Sequence, residues 1–271
     1  MHIAEGRANG LSYSYELLDL DRLETASLPD IIADAEARGF GGLNVTHPCK
    51  QAVIEFLDTL SREAAALGAV NTVVLREGKR HGHNTDWWGF AESFRRGLPD
   101  ADLTSVVQLG AGGAGAATAF AILRSGARRL TIFDPDSARA SGLAESMGRH
   151  FPDATVEPGH DLEQTTAGAS GLIHATPTGM AKYPGLPLPA HLLQPALWVA
   201  EIVYFPLNTE LLQTARRIGC RVLDGGGMAV FQAVKAFELF TGIEPDAGRM
   251  QRHFADLTQD AKPARAGEFL P

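Results

Sequence analysis

The chain has 271 residues, 45% of them hydrophobic, with a formal net charge of −8 and a pI of about 5.6. That length can bury one large core or two ordinary ones, and an acidic balance without any Lys/Arg run speaks against a nucleic-acid partner. No stretch reads as a membrane span or a leader, and Cys49 and Cys220 belong to no ligand cluster or disulfide framework. No membrane, metal or disulfide scaffold is therefore expected, and the protein reads as cytoplasmic.

In chain order, Tyr13–Leu20 reads as a strand. "LPDIIADAEARG" reads as an amphipathic helix, with Ile31, Ile32 and Ala35 on one face and Gly39 as its stop. "GGLNVT" is a strand, "CKQAVIEFLDTL" a second helix with Val53, Ile54 and Leu57 inward, and "SREAAALG" a short helical turn. "AVNTVVLREG" is a strand that turns at Gly78 and returns into "HGHNTD". Asp86 opens the helix "DWWGFAESFRRGL", and "LTSVVQLGAGGAGAATAFAILRSGARRLTIFD" reads as strand, Gly-rich turn, helix and strand. The runs in "SGLIHAT", "ALWVAEIVY" and "CRVLD" are apolar without alternation, as in parallel strands covered on both faces. Helices are expected from Ala229 to Phe240 and around Arg249–Leu257.

The fold class expected is α/β. Residues 86–227 form a Rossmann-type dinucleotide-binding domain. Residues 1–85 form an α/β substrate domain onto which the helices of 228–258 pack back, and 259–271 is expected to be a disordered tail.

The stretch Gly110-Ala111-Gly112-Gly113-Ala114-Gly115 carries G-x-G-x-x-G directly after an apolar run and at the opening of an Ala-rich helix. Gly110 allows the tight turn, Gly112 lets backbone approach a pyrophosphate, and Gly115 permits close helix–strand packing. The next strand ends in Asp134, about 20 residues on, where the ribose-binding acid belongs. A carboxylate there accepts bonds from ribose hydroxyls and repels a 2′-phosphate, so NAD is expected over NADP; Arg139, shortly after, softens that preference. A structural Gly turn with an acidic loop is the alternative.

Three strand ends deliver polar residues: Asn44, Thr46 and Lys50; Asn71 and Thr72; Asn84, Thr85 and Asp86. In an α/β domain, ligands sit beyond the carboxyl ends of strands, so one cleft for a hydroxylated molecule is expected. Oxidising an alcohol needs a proton acceptor beside the hydride acceptor, which a lysine near a carboxylate can provide. Taken singly, these residues are also ordinary turn formers and helix caps.

"NVTHPCK", "GAVNT", "GHNTD", "GAGGAGAA", "ATPTGM", "VYFPLNTELL" and "DGGGMAVFQAVKAFELFTG" follow in this order, and together they resemble the shikimate dehydrogenase family from His2 to about Leu257. Within it the chain looks closest to NAD-preferring quinate/shikimate dehydrogenases. The resemblance implies that Lys50 exchanges the proton of the oxidised hydroxyl and that Asp86 is its paired carboxylate, binding ring hydroxyls. It further implies that Thr46, Asn71 and Gln232 hydrogen-bond the substrate and that Tyr204 lies near its carboxylate. Thr176, Met180, Ile202 and Gly225 match positions lining the nicotinamide side. The substrate implied is a hydroxylated ring carboxylate, shikimate or quinate, handled by a monomer or homodimer in the shikimate pathway.

The family pattern places an apolar strand and S-x-[S/T]-P ahead of a Met-His pair, whereas this sequence opens on that pair. The expectation is a start assigned to an internal Met, so that the natural chain is longer. The rival is true truncation, giving an NAD-binding paralogue that turns over poorly. A methylenetetrahydrofolate dehydrogenase-like reductase is the other competing enzyme, and "NVTHPCK … HNTD" and "GMAVFQ" argue against it.

Overall fold

The computed structural model describes residues 1–19 and 27–260. The chain divides into two compact units, residues 1–85 with 233–271 and residues 86–232.

The first unit opens with α1 (His2–Ala8) and α2 (Leu28–Ala37). Pro29 sits in the first turn of α2, and the Asp30 carboxylate accepts the Ser27 N–H at 3.2 Å, which fixes where the helix starts. Then come β1 (Gly42–Asn44), β2 (Thr59–Leu60), α3 (Arg62–Leu67), β3 (Thr72–Arg76) and β4 (Lys79–His83). The sheet order is β1-β3-β4-β2, with β1, β3 and β4 antiparallel and β2 parallel to β4. Glu77 and Gly78 both take positive φ, 54° and 69°, the left-handed pair that a tight hairpin between twisted strands requires. Ile32, Val53, Ala64, Val70 and Val73 are buried together beneath Leu43, Val45 and Leu57.

Two expectations are corrected here. Residues 13–19 carry no strand pairing; their tyrosines are held through side chains, Tyr13 stacking on Phe237 at 5.5 Å and Tyr15 donating to Asn44 Oδ1 at 3.0 Å. Leu20 lies outside the described residues. The helix expected over "CKQAVIEFLDTL" is a turn followed by a 3-10 helix, Ala52–Phe56. The reason is a competing hydrogen bond: Lys50 O accepts Val70 N at 2.8 Å, so Ile54 N turns to Gln51 O at 3.1 Å instead of to Lys50.

The second unit contains α4 (Asp86–Gly97), β5 (Val106–Leu109), α5 (Gly113–Arg124), β6 (Arg129–Phe133), α6 (Ser137–His150), β7 (Thr155–Pro158), α7 (Leu162–Ala167), β8 (Gly171–His174), β9 (Trp198–Glu201), α8 (Glu210–Ile218) and β10 (Arg221–Leu223). Its six strands are all parallel, in the order β10-β9-β8-β5-β6-β7. This is the doubly wound dinucleotide-binding order, with its reversal between β5 and β8. Val107, Leu109, Leu172, Leu197, Val199, Leu211 and Leu212 make the core on one side of that sheet.

The last two helices are α9 (Gly226–Thr241) and α10 (Ala247–Asp260); the division between the units falls within α9. Gln259 and Asp260 therefore close a helix, and the rest of the expected tail lies outside the described residues. Glu5, 1% exposed on α1, accepts Arg249 Nε and Nη2 at 2.7 and 2.6 Å and the Asp246 N–H at 2.9 Å, tying α10 to α1.

The Arg249 hydrogen bonds hold the Glu5 carboxyl below its ordinary value of 4.5. A depressed folded-state pKa gives stability that is present above the unfolded pKa and lost as pH falls through the folded one. Urea melts should thus show stability that is level above about pH 5 and falling below about pH 4. In Glu5→Gln the fall should be shallower; an identical pH profile would refute the linkage.

Candidate active site

Antiparallel pairing brings the polar clusters of the first unit together. Asn44, Thr72 and His83 stand side by side in register on β1, β3 and β4. The end of β1, the start of β3 and the end of β4 therefore meet at one edge, so the middle cluster, Asn71-Thr72, comes from the amino end of its strand. The expectation that all three clusters come from carboxyl ends is corrected.

The buried side chains there form one network. Asn71 Oδ1 accepts Thr85 N at 2.7 Å and the Thr72 hydroxyl at 3.1 Å, while Asn71 Nδ2 donates to Thr85 Oγ1 at 3.0 Å. Asn84 Nδ2 donates to Ala69 O at 3.0 Å. Asn71, Thr72, Asn84 and Thr85 are all buried, so each satisfied group avoids the penalty of an unmet polar atom. Asn71 fixes the backbone directly ahead of Asp86, a role the sequence reading did not give it. Lys50 lies in the turn after the cis His47-Pro48 bond, and its carbonyl accepts the N–H of Val70, the residue before Asn71. Lys50 is half-buried, and Thr46 is exposed at the mouth of the strand.

In the second unit Asp86, 9% exposed, opens α4. One turn on, a Cβ at Gly89 would stand 2.7 Å from Gln232 N, so α4 and α9 cross backbone to backbone there. That close crossing sets Gln232 beside the first turns of α4; its Nε2 donates to Ala229 O at 3.0 Å. Tyr204 is 53% and Met180 40% exposed, on the loops after β9 and β8.

At the switch point, Gly110 takes φ +103°, and a Cβ there would lie 2.5 Å from Ala175 O. Gly112 and Gly113 face open space, Gly112 being the N-cap of α5. Ala111 and Ala114 complete the turn, and Gly115 packs on Gly110 O. Asp134, at the end of β6, accepts Ala111 N at 2.8 Å and Asp136 N at 2.9 Å. A half-buried carboxylate is thereby docked on the glycine turn, so the donor set and the open cradle fit a nicotinamide dinucleotide. Arg139, exposed on α6, lies 3.4 Å from the Asp136 carboxylate. Ile202 and Gly225 adjoin, since a Cβ on Gly225 would be 2.4 Å from Ile202 O.

Three residues of this end of the sheet escaped the sequence reading. Gln108, fully buried, donates to Gly110 O at 2.9 Å and Gly115 O at 2.8 Å and accepts the Thr118 hydroxyl at 2.9 Å, clamping the turn from beneath. His174 and Glu201 form a buried pair, Nδ1 to Oε1 at 2.8 Å. The available signal was a polar residue inside an otherwise apolar strand: "VVQL", "GLIH" and "WVAE". Among the described residues, no group of His, Cys, Asp or Glu could hold a metal ion, and no helix is long and apolar enough to cross a membrane.

Residues 1–73 match the family described as the shikimate dehydrogenase substrate binding domain, and residues 225–253 the shikimate 5′-dehydrogenase C-terminal domain. A shikimate dehydrogenase (NADP(+)) of Streptomyces avermitilis is 56% identical over 96% of this chain and 91% of its own. A quinate/shikimate dehydrogenase (NAD(+)) of Corynebacterium efficiens is 47% identical over 95% and 92%. Among solved structures, quinate dehydrogenase from Corynebacterium glutamicum in complex with NAD superposes with a TM-score of 0.91 at 44% identity, covering 94% of this chain and 93% of that one.

Proposed function

The chain belongs to the shikimate dehydrogenase family, and on that premise we propose that it is an oxidoreductase interconverting shikimate, quinate or both with the matching 3-dehydro acid, using NAD in preference to NADP. The observation that carries this reading is the row of Asn44, Thr72 and the Asn71–Thr85 network at one sheet edge, with Lys50 pinned beside it. Such a row offers amides and hydroxyls to a ring bearing several hydroxyls. Lys50 takes the proton that the reacting hydroxyl gives up and returns it in the reverse direction. Asp86 accepts hydrogen bonds from ring hydroxyls and orients them, and Thr46, Asn71, Tyr204 and Gln232 complete the substrate contacts. The dinucleotide, held at Gly110–Gly115 and Asp134 with Thr176, Met180, Ile202 and Gly225 on its nicotinamide side, supplies the hydride acceptor. The enzyme acts on this small-molecule substrate in the cytoplasm, as a monomer or homodimer.

The NAD preference is supported by Asp134, whose carboxylate, already bonded to Ala111 N, would face a 2′-phosphate with like charge. The curated relatives above are named for both dinucleotides, so the preference rests on this residue. Initial rates with shikimate and with quinate, each against NAD and NADP, test the reading. The expected result is reduction with at least one acid and a kcat/KM for NAD higher by about tenfold, a difference of about 1.4 kcal/mol. No reduction with either acid would overturn the activity; a higher value for NADP would overturn the cofactor preference.

A further inference from the structure

The last row of the six-stranded sheet sets Leu109, His174 and Glu201 side by side on β5, β8 and β9, at the switch point. Both titratable side chains of the row are wholly buried. Such a pair is costly to keep unless every polar atom is answered, and here each one is. Glu201 Oε1 accepts from His174 Nδ1 at 2.8 Å and from Val203 N at 3.1 Å, and Oε2 accepts the Thr209 hydroxyl at 3.2 Å. His174 Nε2 meets Thr176 Oγ1, the oxygen that also accepts Thr178 N at 3.2 Å.

The order of protons follows from the carboxylate, which only accepts. It commits Nδ1–H of His174 to Glu201, and in the neutral ring, the form the proposal takes, the Nε2 lone pair receives the Thr176 hydroxyl proton. Thr176 Oγ1 is left with acceptor capacity alone. The residue is half-buried at the carboxyl end of β8, and a Cβ on Gly110 would stand 3.1 Å from its Cγ2, so it lies against the dinucleotide turn.

We propose that Glu201 and His174 are positioning residues that hold the Thr176 hydroxyl as a fixed hydrogen-bond acceptor for an N–H or O–H donor on the nicotinamide half of the dinucleotide. This rests on the dinucleotide-binding reading above. The pair acts through Thr176, which gives the idea a specific signature. His174→Asn keeps an N–H donor for Glu201, so the buried carboxylate stays answered, but its shorter side chain no longer reaches Thr176. Thr176→Val removes the hydroxyl at nearly constant shape.

Titration of the full chain with NADH, followed by fluorescence, should show Kd raised about 3- to 10-fold in each single variant, the loss of one ordinary hydrogen bond. The double variant should bind no more weakly than the weaker single, because both substitutions remove the same contact. In His174→Asn the KM for the dinucleotide should rise by the same factor while the KM for the hydroxy acid stays put. An unchanged Kd in either single variant overturns the proposal, as do losses that multiply in the double. Should His174→Asn fail to fold, an unchanged Kd in Thr176→Val overturns it alone. A wild-type chain that binds neither NADH nor NADPH would remove the dinucleotide reading, and the proposal with it.

Discussion

Replacing Lys50 with alanine is expected to lower kcat by about 100- to 10,000-fold, the range that one positioned acid–base group contributes. Dinucleotide affinity should not change, because the residues proposed to hold the dinucleotide, Gly110–Gly115 and Asp134, do not include Lys50. The fold should hold as well: the Lys50 carbonyl that accepts Val70 N belongs to the backbone, which alanine keeps. Lys50→Arg is the sharper control. It preserves the charge, but a guanidinium does not give up its proton at working pH, so turnover should stay low. Steady-state rates and NADH titrations on the three proteins decide the matter. Full activity in Lys50→Ala would overturn the assignment, and full activity in Lys50→Arg would show that charge suffices.

The second large effect separates two glycines of one motif. A Cβ at Gly115 would stand 2.3 Å from Gly110 O, so Gly115→Ala must push α5 off β5 and should cost about 3 kcal/mol of stability. A Cβ at Gly112 meets nothing within 4 Å, so Gly112→Ala should melt like the wild type. The open space it would occupy is where, on the proposed dinucleotide reading, a pyrophosphate would approach the helix N-terminus. Losing a backbone bond to a charged phosphate, about 1.5–3 kcal/mol, should raise the dinucleotide Kd by at least roughly tenfold. Thermal melts and NADH titrations on both variants test the split. The reverse pattern, an unstable Gly112→Ala with normal affinity, would contradict the geometry.

Five strands of the parallel sheet were legible as short apolar runs, and the turn at Gly110–Gly115 declares itself by spacing; the edge strand β7, "TVEP", is only partly buried and carries no such run. Strand direction in the first unit was not. "AVNTVV" reads the same whichever way its neighbours run, and only the antiparallel pairing of Asn44 with Thr72 sets the beginning of β3 beside the end of β1. The 3-10 helix after Lys50 was equally hidden, since its cause is a carbonyl taken by Val70, 20 residues further along the chain and just ahead of β3. Tyr13–Leu20 has the composition of a strand, but a strand exists only with a partner, and residues 13–19 pair with none. The Glu201–His174 pair spans 27 positions, a separation that no local window covers. What periodicity records is burial; what it omits is who answers each buried polar atom.

The Gln108 clamp has a kinetic consequence. Its amide bonds the carbonyls of both Gly110 and Gly115 from inside the sheet, so the turn takes its shape when the domain folds. The conformational entropy of a glycine-rich loop, among the largest per residue, is lost at that stage and not when a ligand arrives. On the proposed reading, dinucleotide capture at this turn should then be a single encounter step whose rate is set by diffusion and orientation, with no slower phase from ordering of the turn.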